Sequence, residues 1–178
     1  HFTEVFSTAE LDLSLRTRES KNRLEQLQQQ SIFVIDDWCC ICEQCLREMG
    51  GIGFFLGDIG PGGQISFNTK GTDHFTATRL TATNFEPQAV AVGDLGGMEV
   101  SCKRLVITIG LETITYHPDA VAIIFAAGAA KAPMVKDALE KAPSNFYPAS
   151  VLARPKNARF YITHGAASIL NDAIDLYY

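Results

Sequence analysis

The chain has 178 residues, 47% of them hydrophobic and 20% charged, and a formal net charge of −5. That length suggests one domain whose core needs no disulfide or metal staples. An acidic balance without a basic stripe argues against nucleic acid as a partner. No window approaches the roughly 20 apolar residues of a membrane-spanning helix, so no membrane association is expected.

Residues 1–10 (HFTEVFSTAE) show no charged region followed by an apolar one, so no signal peptide is expected. Residues 1–30 read as a polar, largely helical N-terminal segment, with a solvated helix over 18–29. Residues 31–178 read as a single domain. Within it, 31–35 (SIFVI) is a short strand, and Asp36 or Asp37 caps a helix that runs to Met49 and stops at Gly50–Gly51. That helix would bury one face made of Trp38, Cys42, Cys45, Leu46 and Met49. Residues 52–56 (IGFFL) form a buried strand, followed by a long glycine-rich loop to about Asp73.

Residues 76–81 make an edge strand and 84–92 a short helix with Pro87 in its first turn. Further strands are expected at 104–109 (RLVITI, broken at Gly110), 121–126 (VAIIFA) and 159–163 (RFYIT). A short helix or turn is expected at 111–116 and helices at 129–141 and 166–174, with one helical turn in the proline-rich 144–157 connection. Continuous apolar strands alternating with helices point to a layered α/β fold, with a mostly parallel sheet covered on both faces.

Four of the five cysteines, Cys39, Cys40, Cys42 and Cys45, fall within one helix. Thiolates that close together on a helix point in several directions, which makes a mononuclear zinc site awkward. Cysteine behaves as a small hydrophobe, so core packing is expected and no metal site. Four neighbouring cysteines cannot frame distant segments with disulfides, which fits a reducing, cytoplasmic setting.

The glycine loop, FLGDIGPGGQISFN (55–68), leaves a strand without a dinucleotide GxGxxG or a Walker A sequence. Its glycines, Gly60, Gly62 and Gly63 among them, permit positive φ and let backbone N–H groups approach an anion or a sugar. Spacing alone makes it a ligand loop of undetermined chemistry. GGIGFFLGDIGPGGQISFN followed by GTDHFTATRLT resembles the signature region of glucosamine-6-phosphate deaminases (isomerases). KRLVITIGLETI, AVAIIFAAGAAKAPMVKDALE and the 148–170 stretch are similar to later segments of that family, in the same order.

The resemblance implies a Rossmann-like three-layer αβα sandwich lacking the family's N-terminal strands, an oligomer, no cofactor and a small-molecule sugar phosphate as ligand. It assigns substrate contacts to Gly60, Gly63, Gln64 and Asn68, and phosphate binding to Lys131 in GAAK. Arg79 matches a position of an allosteric sugar-phosphate site in many members. The family's acid–base Asp, His and Glu slots hold Gly62, Gln64 and Thr69, none of which moves protons at neutral pH. Its enolising carboxylate has no counterpart in this sequence. Asp73 and His74 are the nearby groups that could substitute, and Asp58 is expected to satisfy a turn. Catalytic residues stay unassigned. The resemblance thus implies a family member of amino-sugar metabolism with impaired catalysis. The alternatives are a non-catalytic sugar-phosphate sensor or subunit, and a 6-phosphogluconolactonase-like hydrolase, although Ile65–Asn68 fits the deaminase version better.

Overall fold

A computed structural model describes residues 11–82, 105–153 and 155–171. The helix expected at 84–92 lies outside them. The described parts group into two compact units, one from 11–45 with 78–82 and 105–108 and the other from 46–77 with 109–153 and 155–171.

The first unit is built on one long helix, α1 (Arg23–Glu48). The strand expected at 31–35 is absent, and the two helices expected around it are one. The reason is local: Arg23–Glu48 contains no glycine or proline to break it. Gln28, Ile32, Cys39 and Glu43, buried at spacings of four and seven, supply a single helical face. A short apolar run such as SIFVI does not by itself distinguish strand from buried helix. The buried face also differs from the expected one, since Trp38 and Met49 are exposed and Cys39 is the thiol in the core. Asp36 caps nothing; it takes a two-pronged ion pair from Arg16, whose Nη2 also donates to the Leu80 carbonyl. Glu43 accepts hydrogen bonds from the Thr78 amide and hydroxyl in the interior.

Preceding α1, a 3-10 turn (Leu13–Arg16) is capped by Asp12, which accepts from the Ser14 amide. The Arg18 guanidinium bridges Asp12 and Glu25 and holds the Asp12 carboxyl down at about 2. β2 (Arg79–Ala82) pairs antiparallel with β3 (Leu105–Thr108), Arg79 opposite Thr108. The edge strand expected at 76–81 therefore starts three residues later and ends one later, at Arg79–Ala82.

Burial orders the reactivity of the α1 cysteines. Burial pushes the Cys39 thiol up, with the Asp36 charge adding to it, while Cys40 and Cys45 are exposed. Iodoacetamide at mildly alkaline pH should modify Cys40 and Cys45 first and Cys39 only as the unit opens. Peptide mass spectrometry over a labelling time course reads this order, and early labelling of Cys39 would contradict it.

In the second unit, Gly50 and Gly51 carry the helix stop, with the Gly51 amide reaching back to the Leu46 carbonyl. β1 (Phe54–Asp58), β4 (Val121–Ala126) and β5 (Asn157–Ile162) form a parallel sheet in the order β1-β4-β5. Phe55 lies opposite Ala122, and Ile124 opposite Phe160. One sheet face carries Phe55, Ala122 and Ile124 into the core, against α2 (Leu111–Thr115), α3 (Ala132–Glu140) and a 3-10 segment (Pro148–Ala153). From these come Leu111, Val135 and Leu152. On the other face Phe54, Leu56, Phe125 and Tyr161 remain about half exposed. Residues 52–56 are accordingly not a fully buried strand: the strand begins at Phe54 and buries Phe55. The expected helix at 166–174 is, over its first residues, a set of turns.

Candidate functional site

Parallel strands in register bring their C-terminal ends together, and open α/β sheets place ligands there. Here those ends are Asp58 on β1, Ala126 on β4 and Ile162 on β5. After β4 the chain turns at Gly128, whose amide donates to the Thr163 hydroxyl just beyond β5. A 3-10 turn (Ala129–Lys131) then leads into α3, whose first turn accommodates Pro133. This brings Lys131, on a part-buried stem, to the strand ends. Its Nζ lies 3.1 Å from Asp58 Oδ2. Asp58 is therefore an ion-pair partner across the sheet edge instead of a turn residue, a role the sequence reading missed.

The glycine loop is folded upon itself. The Gly60 amide donates to the Gln64 carbonyl and the Gly63 amide to the Gly60 carbonyl. The Gly62 amide donates to the Gln64 side-chain carbonyl at 2.9 Å. These three N–H groups, expected to be open to an anion, are thus consumed inside the loop. Gly63 has φ +76°, and a Cβ there would stand 3.2 Å from Met134 Sδ. The absent side chain seats the loop against α3, one residue into the helix past Pro133.

Asn68 is fully buried, its Nδ2 donating to the carbonyls of Ile65 and Ile109. It clamps the loop to the chain that enters α2 and presents no surface to a ligand. Gly60 and Gly63 are also buried. Of the expected substrate contacts, only Lys131 projects a charged group at the strand ends, with Gln64 part-exposed beside it in the loop.

The proposed substitutes for the acid–base groups part company. Asp73 is exposed, with Oδ1 accepting from the Phe75 amide in a local turn. His74, next to it, is buried at 6% exposure. Burial of one and turn duty of the other leave no paired acid and base at the loop surface. Arg79 sits on β2 in the first unit, half-buried, its pKa lowered by burial and then by the Arg16 charge. An open cleft in the first unit is lined by Arg16, Arg18, Ser20 and Gln29, but Asp36, Asp12 and Glu25 already neutralise its arginines. Among the described residues, no cluster of three His, Cys, Asp or Glu side chains could hold a metal ion, and no helix is long and apolar enough to cross a membrane.

No family model matches the chain. It is 28% identical over 135 residues to glucosamine-6-phosphate deaminase 2 of Bacillus subtilis, covering 76% of this chain and 54% of that one. It is 26% identical to the glucosamine-6-phosphate isomerase of Candida albicans, with the same two coverages. Its structure superposes on a monomeric glucosamine-6-phosphate deaminase, described as a missing link of the NagB superfamily, with a TM-score of 0.64 at 26% identity, covering 74% of this chain and 53% of that one. The 6-phosphogluconolactonase from Trypanosoma cruzi matches with a TM-score of 0.55 at 14% identity over 90% of this chain and 58% of that one, a likeness of fold alone. The chain spans about half the length of the relatives it matches. These relatives carry the family name that the glycine loop suggested, and the mixed α/β architecture with its parallel sheet is consistent with the Rossmann-like αβα fold expected from it.

Proposed function

We propose that this chain binds an amino-sugar phosphate at the C-terminal ends of β1, β4 and β5, with the phosphate on Lys131, and that it does not turn the ligand over at the rate of a deaminase. The observation that carries the reading is the position of Lys131, at the strand ends, beside the glycine loop and at the entry to α3. A cation on a part-buried stem at a helix entry suits a dianionic phosphate. Asp58 occupies the same ammonium in the free chain, so the ligand phosphate displaces a carboxylate. The similarity to glucosamine-6-phosphate deaminases and isomerases supports the choice of sugar.

The loss of chemistry rests on Gly62, Gln64 and Thr69. Gln64 gives its carbonyl to the Gly62 amide and has no proton to relay, while glycine and threonine supply no acid or base near pH 7. The test is direct. The chain is mixed with glucosamine 6-phosphate, ammonia release is followed, and the melting temperature is measured as the sugar phosphate is titrated. A rise in melting temperature without ammonia is expected. Ammonia at a deaminase's rate would overturn the loss of chemistry, and an unchanged melting temperature would overturn the binding. Restoring Gly62→Asp, Gln64→His and Thr69→Glu together should still give no ammonia, because the enolising carboxylate implied by the resemblance has no counterpart in the sequence. Turnover by that triple variant would show that another residue of this chain fills its place.

A further inference from the structure

Helix α1 uses one apolar face for the core and carries a second that stays exposed among the described residues. Leu24, Leu27, Ser31, Val34, Trp38 and Ile41 recur at alternating spacings of three and four, the period of a coiled-coil seam. The five apolar members are 50, 41, 58, 54 and 61% exposed in chain order. The core-facing residues Gln28, Ile32, Cys39 and Glu43 lie on a different side of the same helix. No charged side chain interrupts the seam between Leu24 and Ile41. A solvated helix has no use for such a stripe, because an amphipathic helix needs one apolar face and a second one asks for cover.

We propose that a second copy of this chain covers it, the two α1 helices packing antiparallel along this seam. Orientation follows from side-chain volume and charge. A parallel pair would stack Trp38 on the partner's Trp38, Ser31 on the partner's Ser31 and Glu48 near the partner's Glu48, which alternates overfilled, underfilled and repelling layers. The antiparallel pair, centred between Ile32 and Phe33, sets Leu24 against the partner's Ile41, Leu27 against the partner's Trp38 and Ser31 against the partner's Val34. Large then meets medium or small in each layer, as interdigitated cores require. The flanking positions place exposed Gln30 beside the partner's Asp37 and Arg23 beside the partner's Gln44, so no like charges meet. Covering this stripe on both copies removes on the order of 1,000 Å² from water, the lower bound for a specific interface and the size of a reversible one.

Trp38 is the chain's only tryptophan and sits in the seam, so its fluorescence reports on the contact directly. Sedimentation equilibrium of the whole chain at tens of micromolar is expected to give twice the 19.4 kDa of one copy, with Trp38 emission shifting to the red on dilution. Ile41→Glu puts a charge into the seam and should weaken association at least about tenfold, leaving an emission that no longer changes with concentration. A wild-type chain that stays monomeric throughout that range overturns the proposal. So does a dimer that survives both Ile41→Glu and Val34→Glu, since another surface then holds it.

Should the charged variants fail to fold, cross-linking decides. Ser31→Cys, with Cys40 and Cys45 changed to serine, places two thiols close to the two-fold axis and should oxidise to a linked dimer. The native Cys45 residues lie roughly 35 Å apart in the antiparallel pair by the helical rise. Rapid linkage through Cys45 in the native chain would therefore overturn the arrangement.

Discussion

Gly110→Ala is expected to destabilise the second unit by about 3 kcal/mol or more, the largest effect of a single methyl group among the glycines of the described residues. A Cβ at this position would overlap the Thr76 carbonyl oxygen and its carbonyl carbon. The obstacle is backbone, and no side-chain rotation relieves it. The same Thr76 carbonyl accepts from the Glu112 amide, and the Thr76 hydroxyl accepts from the Leu111 amide. Moving the two chains apart therefore also weakens the hydrogen bonds that start α2, each worth about 1 kcal/mol net. For a chain of this length a loss of that size lowers the melting temperature by roughly 6–12 °C. Gly53→Ala is the control, because a Cβ there meets nothing within 4 Å and its cost should be small. Equal melting temperatures for the two variants would show that the Thr76–Gly110 approach is not as close as described.

Lys131→Ala is expected to remove half or more of the stabilisation that a sugar phosphate confers while leaving the free chain nearly as stable as before. The two halves of that expectation have different causes. Without ligand, Lys131 is paired with Asp58, whose side chain is 68% exposed, and an ion pair so open to water contributes under about 1 kcal/mol. With ligand, the ammonium faces a phosphate, and a charge-assisted bond of about 1.5–3 kcal/mol is lost, at least about a tenfold change in Kd. At a ligand concentration near 100 times the wild-type Kd, stabilisation should fall from about 2.7 to about 1.4 kcal/mol or less. Asp58→Asn works in the opposite direction, removing the carboxylate that competes for the ammonium, and should tighten binding. Calorimetric titration with glucosamine 6-phosphate reads both variants. Undiminished affinity in Lys131→Ala would remove the phosphate from this end of the sheet.

Elements whose signal is local could be read from the sequence. β4 was expected and found at 121–126 because the apolar run 120–127 is bounded by Asp119 and by Gly128. The element after Gly110 was marked in the same way, by its glycine, and α3 lies within the helix expected at 129–141 after Gly128. α1 was misread for the opposite reason. Its residues 32–42 are apolar around most of the helix, so period alone did not distinguish a strand followed by a helix from one continuous helix. Only packing shows that Ile32 and Cys39 share a buried face.

Long-range partnerships were equally hidden. The Lys131–Asp58 pair joins residues 73 positions apart, and nothing near Asp58 in the sequence marks it as a partner for lysine. His74 looked like a loop imidazole available for chemistry, but its burial depends on packing that no neighbouring residue reveals. The motif located the loop; the fold decided which of its groups face outward. Gly60, Gly63 and Asn68 are invested in the loop's own architecture, and the glycine N–H groups that looked suited to an anion are occupied by Gln64 and Gly60.

The half-exposed apolar residues on the second face of the parallel sheet also shape how stability changes with temperature. Phe54, Leu56, Phe125 and Tyr161 already expose about half of their surface before unfolding, so they add correspondingly less to the apolar surface newly hydrated when an isolated chain unfolds. The heat-capacity increment should therefore fall below the roughly 12–15 cal/mol/K per residue of well-covered domains, giving a flatter stability curve. Differential scanning calorimetry on a dilute, monomeric sample measures that increment. Its recovery to the ordinary value on association would show how much of the hydrophobic driving force is supplied from outside the single chain.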